Sequence, residues 1–498
     1  MNDLAETSLV LAAEDCRPEH FDEFHRFSSR TDRRVLLNLV AHGPVLLRGG
    51  RGSGKSALMI SASRQLDPVQ TTSTAVGIYM SLRHAPLLKS TGDAYGRILC
   101  SIIVEKIKST LGARAGEFDP EPEVGAVQFA LAKLAAALGK RIVLFFDDAA
   151  HLGRETSLEE FFDIYRTLSS SSVSCKAAIY PGVTRFGIRF DVYNDATVID
   201  LLRSEELPDF GETFLEVINA RYPDSFKPEQ FSSSLDKGTV ASLLAQAVLG
   251  NMRGFIFACN ALEARCSDGR GIGLPELNET LLELAGNYYW PLLDEIRPKL
   301  GLYEPMVATG KEVAELIFED CGQRSNNPRD ILVHRDIDER LAKPLQILEY
   351  AGFMSKREAS RALKSGGRGA RYALNLCNVL EQTHGSRLTK TLLEKWLLGP
   401  REEAIQFSKG SRLGDMKLPE VSTSSDLAIF SQPISVLGQS NAYPYGLSEH
   451  KIQLLQTAGY ATVGALVDAP DADLDAIYGI GEATLLKIRN VLGQAIWM

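Results

Sequence analysis

The stretch Gly49-Gly50-Arg51-Gly52-Ser53-Gly54-Lys55-Ser56 constrains this chain more than any other, because it meets the phosphate-binding pattern G-x-x-x-x-G-K-[ST] at every fixed position. Pro44 to Arg48 ahead of it reads as a short buried strand. Ala57 to Ile60 behind it opens a helix, so the loop sits in the strand-loop-helix setting the pattern requires. Its four glycines let the backbone wrap a polyphosphate with the N–H groups turned inward, and the helix N-terminus adds a favourable dipole. The expected ligands are ATP and Mg²⁺: the eight residues cradle the phosphates, Lys55 meets the β- and γ-phosphates, and the Ser56 hydroxyl ligates the metal.

A second stretch supports the first. Arg141 to Asp148 runs through Ile142-Val143-Leu144-Phe145-Phe146 into two carboxylates, the form of a central parallel strand whose C-terminal end opens on a ligand crevice. Asp147 is expected to hold Mg²⁺ and Asp148 to orient or deprotonate the attacking water.

A chain of 498 residues with 45% apolar content accommodates about three domains at roughly 100–200 residues each. Its net charge of -9 argues against wholesale coating of nucleic acid, although a local basic face is compatible with it. The seven cysteines are scattered, with no C-x-x-C pair, which points away from a zinc site or disulfide framework. Residues 1–14 lack the pattern of a signal peptide, and no apolar run approaches ~20 residues, so a soluble, cytoplasmic protein without membrane contact is expected.

Taken in order, residues 1–204 read as the ATPase core. Phe24 and Phe27 precede the loop and are placed either against a base or in the core. Ala75 to Leu82 reads as a second strand, Asp93 to Leu111 and Val127 to Leu138 as helices, and Lys176 to Tyr180 and Ala196 to Leu202 as further strands. This alternation predicts an α/β fold, a parallel sheet with helices on both faces. The strand ending at Tyr180 is expected beside both motif-bearing strands, placing Tyr180 and Thr184 near a γ-phosphate. Arg185 and Arg189 follow as phosphate donors, in cis or to a neighbouring subunit, or as solvated charges.

Residues 205–300 are helical in pattern and contain Gly250-Asn251-Met252-Arg253 at the head of an apolar helix. A helical lid with Gly-Asn-x-Arg resembles the sensor-2 element of AAA+ ATPases, particularly the branch of origin-recognition-complex-like initiators. The resemblance implies that Arg253 reaches the γ-phosphate, coupling lid position to ATP state and allowing ATP-dependent self-association. The sequence departs from that family in carrying Asp147-Asp148 where Asp-Glu is usual, which implies slow hydrolysis. The Asp-Asp variant looks like that of STAND ATPases, so a regulatory or defence switch that signals to a protein without a DNA substrate stays open.

Residues 301–400 resemble a winged helix. Lys356, Arg357, Arg361, Lys364, Arg368 and Arg371 face the single acid Glu358, with Ser365 to Gly369 as a flexible tip, which predicts salt-dependent contact with DNA phosphates. Residues 401–445 have linker composition. Residues 446–498 resemble a helix-hairpin-helix domain close to the C-terminal domain of the RNA polymerase alpha subunit, on Leu454 to Leu466, Ile477-Tyr478-Gly479-Ile480-Gly481 and Leu485 to Arg489. Six acids against three Lys or Arg in this tail leave docking of a protein partner as open as DNA contact, and an adaptor role with it.

Overall fold

The computed structural model describes residues 13–69, 73–83, 86–87, 90–150, 155–182, 186–187, 189–267, 270–324, 328–399, 404–420, 428–439 and 446–497. Thr184 and Arg185 lie outside these. The core begins with α1 (Arg30–Val40), β1 (Val45–Arg48) and α2 (Lys55–Gln65), followed by β2 (Ala75–Ser81), α3 (Gly92–Leu111), α4 (Val124–Leu138) and β3 (Arg141–Ala150). It continues through α5 (Glu155–Leu168), β4 (Val173–Ile179) and β5 (Thr197–Asp200).

These strands form one parallel sheet in the order β2-β3-β4-β1-β5. The strand ending before Tyr180 therefore separates the two motif-bearing strands by one position. Strand side chains alternate between faces. Ile142, Leu144 and Phe146 of β3 enter the apolar cluster under α3, α4 and α5, while Val143 and Phe145 enter the cluster under α1 and α2. Burial on both faces is why this strand is an uninterrupted apolar run.

Residues from 205 form α6 (Phe210–Arg221), α7 (Lys237–Ala247), α8 (Met252–Cys266), α9 (Leu274–Leu284) and α10 (Trp290–Ile296). The module after them comprises α11 (Met306–Gly322), β6 (Asp330–His334), α12 (Arg335–Arg340), α13 (Ala342–Ala351), β7 (Met354–Ala362), β8 (Arg368–Leu374), α14 (Leu376–Gln382) and α15 (Lys390–Leu398). The apolar core runs across position 300 without a break, since Leu293 and Ile296 share one cluster with Val313, Leu348 and Phe353.

The stretch expected to be linker, 401–445, is structured in its described parts. Ile405–Phe407 forms β9, which pairs in parallel with β6 and completes the sheet β7-β8-β6-β9. Ile429, Ile434 and Leu437 are buried in the core of the tail, which is built from α16 (Glu449–Thr457), α17 (Val463–Asp468), α18 (Asp471–Asp475) and α19 (Glu482–Trp497). The Ser and Pro content that suggested a linker surrounds short apolar pairs that need a neighbouring unit to bury them, so local composition misses them. Among the described residues no helix is long and apolar enough to cross a membrane.

Candidate nucleotide site

Two glycines shape the loop between β1 and α2. Gly52 (φ 78°) and Gly54 (φ 92°) adopt left-handed backbone. A Cβ on Gly52 would stand 2.6 Å from Arg253 Cβ and 2.7 Å from Asn251 Oδ1, so the lid packs directly on the loop. Asn251 caps α8 by accepting from Gly254 N–H (3.0 Å) and donates its amide to Arg51 O, while Arg253 N–H donates to Gly52 O (3.1 Å). On the other side, Arg51 N–H donates to Tyr350 O at the end of α13 (3.3 Å), and its guanidinium pairs with Glu295 of α10 (3.2 Å). The phosphate loop is thus held by both the lid and the following module.

The Lys55 ammonium donates to Gly49 O (2.7 Å) and Gly50 O (3.1 Å) and stands 3.8 Å from the centre of the Tyr180 ring. Burial lowers its pKa to about 8, against the opposing pull of Asp147 and Asp148. Asp147 accepts from the Tyr79 hydroxyl (2.7 Å) and is hydrogen-bonded to Ser56. Burial, then Asp148 and Glu14, push its pKa up to about 7. Asp148 takes a left-handed backbone (φ 52°) and has both oxygens engaged, one by Arg83 Nε (2.6 Å) and one by the Tyr180 hydroxyl (3.2 Å). Arg253 lies half-buried on the cavity wall, its pKa lowered by burial and then by Arg51.

The loop, Asp147, Asp148, Tyr180 and Arg253 therefore meet at one place, with Phe24 and Phe27 on the wall of the same cavity. Arg189 does not join them; it is exposed beside Arg166. Four participants escaped the sequence reading. Glu14, in the 3-10 turn Ala13–Asp15, is hydrogen-bonded to the Tyr79 hydroxyl (2.5 Å) and pairs with Arg83 (3.2 Å). One phenolic proton cannot serve both Glu14 and Asp147, so one of these two contacts is made through a carboxyl proton. Arg203 ties Asp32 (2.7 Å) to the Ser53 carbonyl. Arg83 and Tyr79 had a usable signal, since both sit at the C-terminal end of a parallel strand; Glu14 and Arg203 had none.

Oxygens of Glu14, Asp147 and Asp148 lie within 4.8 Å of one another. Hard carboxylate and hydroxyl oxygens suit Mg²⁺, and the crowding that raises the Asp147 pKa is what a divalent cation offsets. Ser56 and Asp147 fit the ion.

The core is an α/β P-loop NTPase fold. No family model matches the sequence, and no curated protein matches it. Among solved structures the chain is similar to the Aeropyrum pernix ORC1 protein in complex with DNA, at 14% identity over 78% of this chain and 95% of that one, with a TM-score of 0.33. It is also similar to Cdc6p from Pyrobaculum aerophilum, at 11% identity over 77% and 98% with a TM-score of 0.36. A Walker-type ATPase of Pyrococcus abyssi matches at 15% identity over 74% and 98%, with a TM-score of 0.42. At such scores the likenesses assign no residue, and the chemistry of the P-loop site follows from this chain's own side chains.

The hairpin β7-β8 corrects part of the expected basic face. Its inward cations are consumed by ion pairs. Arg357, with its side chain 1% exposed, pairs with Glu205 (2.5 Å). Arg371, 4% exposed, pairs with Glu206 (2.6 Å), Glu358 (2.7 Å) and Asp330 (3.0 Å). Lys356 pairs with Asp338 (2.9 Å). Arg361, Lys364 and Arg368 remain exposed toward the tip. An irregularity in β7 between Lys356 and Glu358 sets Arg357 and Glu358 together opposite Arg371, and both arginines meet acids at the joint between core and lid.

Proposed function

We propose that this chain is an ATP-binding and ATP-hydrolysing switch of AAA+ type, similar to the initiator branch, whose nucleotide state is passed to a winged helix that contacts DNA. The observation that carries the reading is the double grip on the phosphate loop: lid residues Asn251 and Arg253 bond its front, and Tyr350 of the following module bonds its rear. Any rearrangement of the loop around phosphates moves groups in both.

In this reading Lys55 turns from the Gly49 and Gly50 carbonyls to the β- and γ-phosphates. Arg253 meets the γ-phosphate as the lid closes. Ser56 and Asp147 hold Mg²⁺, which when bound offsets charge on the phosphate oxygens. Asp148 accepts a proton from the attacking water after Arg83 or Tyr180 releases one of its oxygens; the water oxygen bonds to the γ-phosphorus and ADP leaves. The order α11-β6-α12-α13-β7-β8 supports the winged-helix assignment, and Arg361, Lys364 and Arg368 are its phosphate contacts. The tail, read as a helix-hairpin-helix unit, docks a protein partner.

Duplex-DNA titrations with ATP, with ADP and without nucleotide test the reading, alongside turnover of wild type and Lys55→Ala. DNA affinity that depends on nucleotide in wild type and not in Lys55→Ala is expected. Lys55-dependent turnover with no DNA binding in any state would instead support a STAND-like switch signalling to a protein. The loss of Arg357 and Arg371 from the basic face favours that second reading.

A further inference from the structure

We infer that Glu14 is a displaceable carboxylate that sets which nucleotide the cavity accepts: ADP enters with Glu14 in place, whereas the γ-phosphate of ATP must expel it. This rests on the nucleotide reading above and goes beyond it, since Glu14 belongs to no motif.

The same two side chains that secure the acids of β3 also secure Glu14. Tyr79 lies between Asp147 Oδ2 and Glu14 Oε1, at 2.7 and 2.5 Å. Arg83 lies between Asp148 Oδ2 and Glu14 Oε2, at 2.6 and 3.2 Å. Glu14 therefore stands at the end of the cavity where Ser56, Asp147 and Asp148 gather, the end that receives a terminal phosphate. A guanidinium fork is matched to oxyanions, and Glu14 now uses the fork of Arg83 that a phosphoryl oxygen would use. Two anions cannot share that place, because like charges a few ångströms apart in a buried site repel strongly.

Of the three acids, Glu14 is the one able to leave. Its side chain is 19% exposed, and it sits on a three-residue turn. Asp147 and Asp148 are 1% and 3% exposed and belong to a central strand. The β-phosphate of ADP stays with the loop amides and Lys55, so ADP makes no demand on Glu14. The turn Ala13–Asp15 thus acts as a carboxylate stand-in for the γ-phosphate. Its release frees Arg83.

Calorimetric titration of the full-length protein with ATPγS and with ADP, each with Mg²⁺, tests this in wild type, Glu14→Gln, Glu14→Ala and Lys55→Ala. Both Glu14 variants should bind ATPγS at least about tenfold more tightly, with ADP affinity changed by less than about threefold. Equal gains for the two nucleotides, no gain, or Mg²⁺-dependent weakening of ATPγS would overturn the inference; the last would make Glu14 a metal ligand. Thermal unfolding of each variant separates these outcomes from misfolding, and the near-isosteric Gln, whose amide both donates and accepts, keeps a hydrogen bond with Tyr79. Lys55-dependent binding in wild type that Glu14→Gln leaves unaltered sinks only the role of Glu14. If neither wild type nor Glu14→Gln binds either nucleotide, the nucleotide reading itself falls.

Discussion

The nucleotide cavity and the β7-β8 hairpin are both rich in cations, yet they use them in opposite ways. Lys55 and Arg253 border a cavity, where burial lowers the pKa of each and so raises the gain from meeting a phosphate. Arg357 and Arg371 have buried side chains paired with the carboxylates of Glu205, Glu206, Glu358 and Asp330. The lesson concerns what a count of charges measures. A cation that borders a cavity is placed to meet a ligand, whereas one enclosed among carboxylates holds elements together.

The sharpest way to break this contrast is Arg371→Ala. Removing one partner from a buried charge network should cost about 3–5 kcal/mol of stability in urea unfolding, because the pairings of Asp330, Glu206 and Glu358 with Arg371 are lost together. Unchanged stability combined with a shallower salt dependence of DNA binding would return Arg371 to the DNA face. On the cavity side, Lys55→Ala should reduce ATP affinity by at least about 100-fold in a direct titration. Asp148→Asn should keep binding and slow turnover by about 10²–10⁴.

A smaller effect concerns His25 on the cavity wall. Burial, then Arg221, lower its pKa to about 4 from the usual 6.5. The unfolded chain takes up this proton near 6.5 and the folded chain only near 4, so stability is complete above 6.5 and falls as pH drops through that window. His25→Gln should lack about 3 kcal/mol of that loss, measured as unfolding free energy from pH 7 to pH 4. The smallest effect sharpens the hairpin side. Lys364→Ala with Arg368→Ala should lower the slope of log DNA affinity against log salt by about 1.8 in magnitude, whereas Arg357→Lys should leave it unaltered.

The phosphate loop, its flanking strand and helix, and the acids at the end of β3 were legible because each is a local pattern: fixed spacing, an apolar run, a terminus. The parallel α/β core followed from the alternation of such runs. The grouping of Arg253 with the loop was legible only through a resemblance, and Glu14, Arg83 and Arg203 were not singled out at all. β9 was hidden as well, because Ile405–Phe407 is too short to announce itself and is stabilised by pairing with β6.

The sequence by itself determined that a phosphate loop and an acid-ended strand exist and that they belong to a parallel sheet. Only the tertiary structure decided which charges are available. The partners of Arg357 and Arg371 in the joint before the lid are 152 and 165 residues away, and Glu14 reaches Tyr79 across 65. Periodicity reports the face of an element on which a residue lies. The field at a charged group depends on whatever other segments come within a few ångströms, and chain order carries no record of those distances.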